Sequence, residues 1–397
     1  MTSPQIVADA SSFEELCARV AAADRVALDT EFHSERSYSP RLMVVQLAFE
    51  DGPSIVDPLA IGDLTPLVQR LSDTVVVGHA LASDLKIFAD RFGIVPSRVF
   101  DTQIAAAFLG YGMQISLADL VRDVQHVRLA KTQTVSDWSL RPFSGRQLEY
   151  LIDDVVHLLP IADALQARLE RMGRYEWVAE ECADLADIAR YRSDDQRASL
   201  RIPGASRMNR RELGILNQLV ALRDRAARER DVPVKYIVPD DVIGGLATLR
   251  PKRLEDLAQL RRLDAGVRRQ LGSAILDAVA RGEAIDEHDL PEKPKRPLGA
   301  SRDTLASLLG VVAGEIAREA GLPSNLLVPR AALERVAREA PHDRESFERA
   351  LALRPWRMEL VADSLWRLLC GEATLTIEGY ADGNPKVRFS HDFARNV

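Results

Sequence analysis

Cysteine is scarce in these 397 residues: Cys17, Cys182 and Cys370 are the only three, far apart and in no metal-ligating spacing. This excludes a disulfide scaffold and a thiolate zinc site, and it points to reduced thiols in a reducing compartment. No apolar run approaches the ~20 residues that span a bilayer. The first residues lack a charged-then-apolar leader. The expectation is a cytoplasmic protein with no membrane attachment. A basic excess is also missing, since 52 Lys and Arg stand against 59 Asp and Glu, a net charge of −7. A uniformly basic surface is therefore excluded, and any contact with a polyanion must use local patches. Hydrophobic content of 46% and charged content of 28% are those of a globular chain. Its length predicts two or three domains.

What is present is a set of acids, each at the end of an apolar element. Val26-Ala27-Leu28 begins a buried strand, and Asp29 and Glu31 follow on one face of it by the two-residue period. Leu42 to Phe49 is near-continuously apolar, as a central strand is, and Ser54 to Pro58 reads as a third strand. Thr74 to His79 is a further buried strand, with Asp84 just beyond it, early in a helix running to Phe92. Arg146 to Leu159 reads as helical, which puts Tyr150 and Asp154, four apart, on one face. A carboxylate that loses its water at a strand end is costly unless something pairs with it. Several converging carboxylates are best paired by a hard divalent cation such as Mg²⁺ or Mn²⁺. Taken singly, each acid has a plain alternative: a loop carboxylate for Asp29, a helix N-terminal acid for Asp84, and a half-exposed helix face for Tyr150 and Asp154. Asp101, before Thr102 at a strand-to-helix junction, reads as an N-cap, and His79 and His157 as supporting or core residues.

In order, spacing and flanking hydrophobics these segments resemble the ribonuclease D branch of the DEDD 3′–5′ exonucleases, in the subgroup whose last motif is Tyr-x-x-x-Asp. The resemblance covers roughly residues 5 to 170. It extends to Phe32–Pro40 with Val44-Val45-Gln46-Leu47, to Phe100–Gly110, to Ser116–Val121, and to Lys131-Thr132, Asp137-Trp138, Arg141-Pro142 and Gln147–Tyr150. After His79, where the family carries Asn or a short residue, stands Ala80. The resemblance implies a ribonuclease H-like mixed sheet flanked by helices. It also implies two divalent metal ions, Mg²⁺ or Mn²⁺, roughly 3.5–4 Å apart, one activating water and the other relieving charge on the leaving oxygen. By the same resemblance Asp29 would bridge the ions, Glu31 and Asp154 would hold one and Asp84 the other, and Tyr150 would orient the attacking water.

Beyond residue 170 strand-like runs vanish, and Ala, Leu, Arg and Glu recur at helical spacing. Ala227-Arg228-Glu229 returns as Ala317-Arg318-Glu319, Pro233 as Pro323, Val238-Pro239 as Val328-Pro329 and Ala247 as Ala337, each pair 90 residues apart. A period this long predicts duplicated helical domains rather than a solenoid. Both copies resemble the HRDC domain (helicase and ribonuclease D C-terminal). The expected organisation is an α/β exonuclease domain over 1–175, a first HRDC bundle over 207–285 and a second, diverged HRDC-like bundle over 301–378. A proline-rich linker, Pro291–Pro297, lies between the bundles, and a loosely held tail starts at Asp382. Trp356 and Trp366 read as core residues. Two basic stretches could grip phosphate: Arg190–Arg211, net +5, and Arg250–Arg269, net +4. The second supplies the candidate nucleic-acid contacts Arg261, Arg262, Arg268 and Arg269.

The expected function is hydrolysis of RNA from its 3′ end, releasing 5′-monophosphates, on tRNA precursors or other structured RNA. Nothing in the sequence points to an obligate protein partner. The alternatives are a DNA 3′–5′ exonuclease of the Werner type and an inert nucleic-acid-binding adaptor. No helicase or polymerase segment anchors the former, and the complete acid set argues against the latter.

Overall fold

Strands of β-branched and leucine residues form the centre of the N-terminal half. The computed structural model describes residues 4–34, 37–129, 137–191, 195–260, 262–293, 298–381, 383 and 386–390. Lys131 and Thr132, Arg261, residues 294–297 of the linker, and Asp382 at the start of the tail lie outside them. Strands β1 (Gln5–Val7), β2 (Arg25–His33), β3 (Arg41–Phe49), β4 (Gly52–Val56), β5 (Val75–Gly78) and β6 (Arg98–Asp101) form one sheet in the order β1-β4-β3-β2-β5-β6. The β2–β3 and β3–β4 pairs are antiparallel, and β1–β4, β2–β5 and β5–β6 are parallel, so the sheet is mixed.

Helices cover both faces. They are α1 (Ala10–Ala22), α2 (Pro58–Ile61), α3 (Thr65–Asp73), α4 (Ala82–Phe92), α5 (Thr102–Phe108), α6 (Leu117–Gln125), α7 (Gly145–Val156), α8 (Leu158–Arg171) and α9 (Tyr175–Ala186). On one face Val26, Leu28, Val45 and Leu47 pack with Leu16 and Val20 of α1, Leu71 of α3 and Phe88 of α4. On the other, Ala27 and Ala48 pair across β2 and β3. Their small side chains let Val155 of α7 and Leu158 and Ala162 of α8 close onto the sheet. The expected helix over 146–159 divides at His157. Pro160 has no N–H for the carbonyl of Val156, and its ring crowds that carbonyl, so the chain re-enters helix on a new axis.

After the short α10 (Asp195–Leu200) two bundles follow. The first is α11 (Arg210–Glu229), α12 (Val234–Ile237), α13 (Asp240–Leu249) and α14 (Ala265–Glu283); the second is α15 (Ala300–Glu319), α16 (Ser324–Leu327), α17 (Arg330–Glu339), α18 (Arg344–Leu351) and α19 (Pro355–Leu369). Each bound of α15, α16 and α17 lies 90 residues after that of α11, α12 and α13, so the sequence repeat is a structural one. Even the left-handed residues that end α13 and α17, Arg250 and Ala340, are 90 apart.

The first bundle has its own core, Leu216, Leu219, Ile243, Leu246 and Ile275 among it. The second shares one continuous core with α5 and α8 of the exonuclease domain and with α9, which follows it. The far end corrects the sequence reading. Strands do recur beyond residue 170: β7 (Thr374–Glu378), at the end of the expected second bundle, and β8 (Lys386–Ser390), where a turn and then a loose tail were expected, form an antiparallel hairpin. The alternation Thr374-Leu375-Thr376-Ile377 is too short to stand out by itself, and it is Leu375 and Phe389, packed against the second bundle, that hold the strands in place.

Candidate active site

Three elements carry the acids to one place. Asp29 and Glu31 project from β2 on the face covered by α7, the face that also carries Ala27. A capping box, Ser144 with Gln147, fixes the start of α7, and its buried residues Leu151 and Val155 seat it on the sheet. Tyr150 and Asp154, one turn apart, are thereby brought over β2. Carboxylate oxygens of Asp29, Glu31 and Asp154 all lie within 4.8 Å of one another. Asp84, in the first turn of α4, is buried and accepts a hydrogen bond from Thr30 Oγ1, from the residue between Asp29 and Glu31.

The turn that delivers Asp84 is itself tightly held. At Gly78 any Cβ would collide with the Leu81 side chain and lie 2.9 Å from the Leu28 carbonyl, so only glycine allows β5 to end against β2 there. Ala80 has φ +59°, a left-handed conformation that Asn and Gly adopt more readily than Ala. Ala80 therefore bears a local conformational cost. Asp101 offsets that cost. It is buried, caps α5 through Gln103 N (2.8 Å) and Ile104 N (3.2 Å), and also accepts from Ala80 N (3.1 Å) and Leu81 N (2.8 Å). It is an N-cap, and also the clasp of the Asp84 turn. His79 is tied at both ring nitrogens, to Thr102 Oγ1 and the Ile115 carbonyl, each 2.9 Å away; His157 meets Gln125 at 2.6 Å.

Electrostatics at this cluster is that of unneutralised charge. Burial, and then the Asp84, Asp154 and Glu31 carboxylates, hold the Asp29 carboxyl well above the usual carboxylate range. Burial pushes Glu31 and Asp154 up to about 7, and Asp84 up to about 6 despite the Thr30 hydrogen bond. The Tyr150 hydroxyl, facing Glu31 and Asp154, is pushed up by burial and then by those carboxylates, so in the protein alone it is a phenol. No Lys or Arg pairs with any of the four acids among the described residues, and Asp154 Oδ2 is buried without a hydrogen-bond partner. A donor set of hard, unpaired oxygens fits a divalent cation.

Several residues around the cluster carry little sequence signal. Trp138 packs on the Tyr150 ring, centroids 5.6 Å apart, and lies close enough to Glu31 to favour its ionised form. The loop bearing Trp138 is pinned by Arg141, whose guanidinium grips Asp57 at 2.6 and 2.7 Å and also donates to the carbonyls of Trp138 and Met43. Arg141 and Asp57 are 84 residues apart, so only the fold shows the pair. Tyr38, in the loop after β2, donates to Asp224 (2.6 Å) and accepts from Arg228 (3.1 Å), which fastens α11 of the first bundle to the hairpin that carries Glu31. Gln46 stands out from its strand as the one polar residue in Leu42–Phe49, and it is fully buried.

The candidate phosphate contacts divide. Arg262 is paired with Asp241 at 2.6 Å, and Arg250 with Glu212 and Glu283. Arg268 and Arg269, early in α14, have no acidic partner among the described residues. Arg261 lies outside those residues.

Comparison with known proteins agrees with the fold. Residues 4–170 match the model of a 3′–5′ exonuclease family and residues 212–279 that of the HRDC domain. The ribonuclease D of Acidiphilium cryptum is 37% identical over 384 residues, 95% of each chain. That of Nitrobacter hamburgensis is 35% identical over 377 residues, 94% of this chain and 97% of its own. The crystal structure of Escherichia coli RNase D, described as an exoribonuclease involved in structured RNA processing, superposes with a TM-score of 0.78 at 29% identity, covering 93% of this chain and 99% of that one.

Proposed function

The chain belongs to the ribonuclease D family and is a 3′–5′ exoribonuclease, and from that premise we propose how its residues perform the reaction and on what. Asp29, Glu31, Asp84 and Asp154 would hold two divalent cations, Mg²⁺ or Mn²⁺, which when bound would supply an acidified water and neutralise charge on the cleaved phosphate. The observation that carries this is the convergence of Asp29, Glu31 and Asp154 oxygens within 4.8 Å with no basic partner among the described residues. Asp29, set between the other acids on β2, would contribute to holding both ions. Tyr150 presents its hydroxyl beside Glu31 and Asp154 and orients the attacking water, and Trp138 fixes the tilt of its ring. Hydrolysis at the terminal phosphodiester releases a 5′-monophosphate and leaves a new 3′-hydroxyl.

The substrate we propose is a structured RNA with a single-stranded 3′ extension, such as a tRNA precursor, handled in the cytoplasm. We divide the chain into a catalytic domain over 1–175 and two HRDC-type bundles over 207–285 and 301–378. The second assignment rests on the 90-residue correspondence of helix bounds. Arg268 and Arg269 are the phosphate contacts of the first bundle. The test uses full-length protein with Mg²⁺ on 5′-labelled RNA and DNA strands of one sequence, and on a tRNA precursor. Stepwise shortening of RNA and of the precursor's trailer, abolished by EDTA, is expected. Equal degradation of DNA would favour the DNA exonuclease, and RNA binding without any hydrolysis would favour the adaptor.

A further inference from the structure

Gln46 is a buried polar residue at the reaction centre with nothing to bond. It is 0% exposed, and neither Nε2 nor Oε1 has a hydrogen-bond partner. An unpaired buried amide costs about 1–3 kcal/mol, so a position that keeps one calls for an explanation. Its place in the sheet supplies one. Gln46 of β3 lies directly opposite Asp29 of β2 and, on its other side, opposite Ile55 of β4. Directly opposed residues put their side chains on the same face, with Cβ atoms roughly 4.5–5.5 Å apart. The neighbouring pairs fix which face it is. Ala27 and Ala48 pack under α7 and α8, and Val44 and Ile55 pack with Leu151 of α7, whereas Leu28 and Leu47 share the opposite core. Gln46 therefore lies beneath α7, beside Asp29, whose carboxylate is within 4.8 Å of that of Asp154. On that same face Asp154 Oδ2 is a buried acceptor that also lacks a partner. An idle donor and an idle acceptor thus lie on one face of the sheet, each next to Asp29.

We infer that Gln46 is a positioning residue for metal loading: its Nε2–H group, idle without a cation, would donate to the Asp29–Asp154 carboxylate pair when a cation draws in the remaining oxygens, and would hold that pair in the orientation that keeps the cation. The chemistry is suited to the task. A carboxylate accepts at about four lone-pair positions, so an oxygen can take an amide hydrogen while others face a cation. A neutral amide does this without adding a charge that would compete with the cation, as Lys or Arg would. Residues that hydrogen-bond metal-ligating carboxylates commonly set metal affinity by about 10–100-fold. Leu, Met or Val at position 46 would fit the apolar run of β3 better by packing alone, so the carboxamide is there at a cost to the fold.

This inference rests on the metal-site reading above, and the experiment separates the two. Mn²⁺ is titrated into full-length wild type and the Gln46→Met, Gln46→Leu and Asp29→Asn variants by calorimetry, and each is melted in EDTA. Met matches the volume of Gln without its donor, so Gln46→Met should melt in EDTA at or above the wild-type temperature. Its Mn²⁺ dissociation constant should rise about 10–100-fold. A merely structural Gln46 gives the reverse, a lower melting temperature with unchanged Mn²⁺ affinity, and that result overturns the inference. Should Gln46→Met not fold, Gln46→Leu, titrated in the same way, decides, because it too lacks the donor and adds no charge. Wild-type Mn²⁺ affinity in that variant again overturns the inference. If Asp29→Asn also binds Mn²⁺ like wild type, it is the metal-site reading that fails.

Discussion

The indole rings of Trp177 and Trp356 stack with centroids 4.9 Å apart and planes 15° from parallel, one from α9, directly after the exonuclease domain, and the other from the second helical bundle. Phe108 packs edge-on to Trp356 at 5.2 Å, and Arg354 and Arg357 reach Glu181 and Asp184 of α9 around the stack. The second bundle is thus an extension of the catalytic domain's core. Trp356→Ala should cost about 3–5 kcal/mol and lower the melting temperature of the catalytic domain with the bundle. Urea unfolding followed by tryptophan fluorescence and by loss of Mg²⁺-dependent hydrolysis reads both parts. Two separated transitions in wild type, with hydrolysis surviving the first loss of fluorescence, would show that the bundle is independent.

Tyr150→Phe removes the hydroxyl while keeping the ring that packs on Trp138. If the hydroxyl orients the water, the single-turnover rate falls by roughly 10²–10⁴-fold with RNA affinity unchanged. The phenol is pushed above its ordinary value by burial and the neighbouring carboxylates. In the protein without cations it is therefore a hydroxyl, and if it reacts as one with cations bound, the variant's pH–rate profile should keep the wild-type shape. Weaker RNA binding with an unchanged rate would make Tyr150 a packing residue.

The acid cluster sets a pH dependence of known sign. Folded Glu31 and Asp154 titrate near 7 and Asp84 near 6, above the ordinary range near 4 of the unfolded chain. Between about pH 4 and 7 the folded protein binds more protons than the unfolded one, so these groups lose stability for the fold as pH rises through that window. A divalent cation favours the ionised form and releases those protons. The gain in melting temperature on adding Mn²⁺ should therefore be small at pH 5 and large at pH 7.5. A gain independent of pH would contradict the shifted acids.

Arg268 and Arg269, in the basic stretch on the first bundle, have no acidic partner among the described residues. Replacing both with glutamine should weaken binding to a tRNA precursor and flatten the dependence of log affinity on log salt by about 1.5–2. Cleavage of a short single strand should barely change. Identical slopes for variant and wild type would assign these arginines to a solvated surface.

Much of this molecule is legible in its sequence, because local pattern and local structure coincide there. The apolar runs that end in Asp29, Glu31 and near Asp84 are strands, and Tyr150 and Asp154 do share a helix face. The repeat of Ala227–Glu229 at Ala317–Glu319 shows directly as matched helices. What stays hidden depends on pairs distant in sequence. Arg141 meets Asp57, Tyr38 meets Asp224, and Trp356 meets Trp177 only once the chain is folded. Asp101 reads as a cap, but its hold on Ala80 and Leu81 needs the parallel pairing of β5 with β6. Gln46 had a signal, a lone amide in an apolar strand, yet its meaning depends on the β2–β3 register. The β7–β8 hairpin is the opposite case, a segment too short to announce itself.

The central claim is that unpaired acids hold the ions that make hydrolysis possible. Asp29→Asn and Asp154→Asn each remove a charged oxygen at constant volume. Single-turnover hydrolysis of a 5′-labelled RNA at saturating Mg²⁺ tests the claim most directly, with circular dichroism confirming the fold. Both variants should bind the RNA and fold as wild type does, with hydrolysis falling to the level seen in EDTA. Rates within tenfold of wild type in both, persisting in EDTA, would contradict the account.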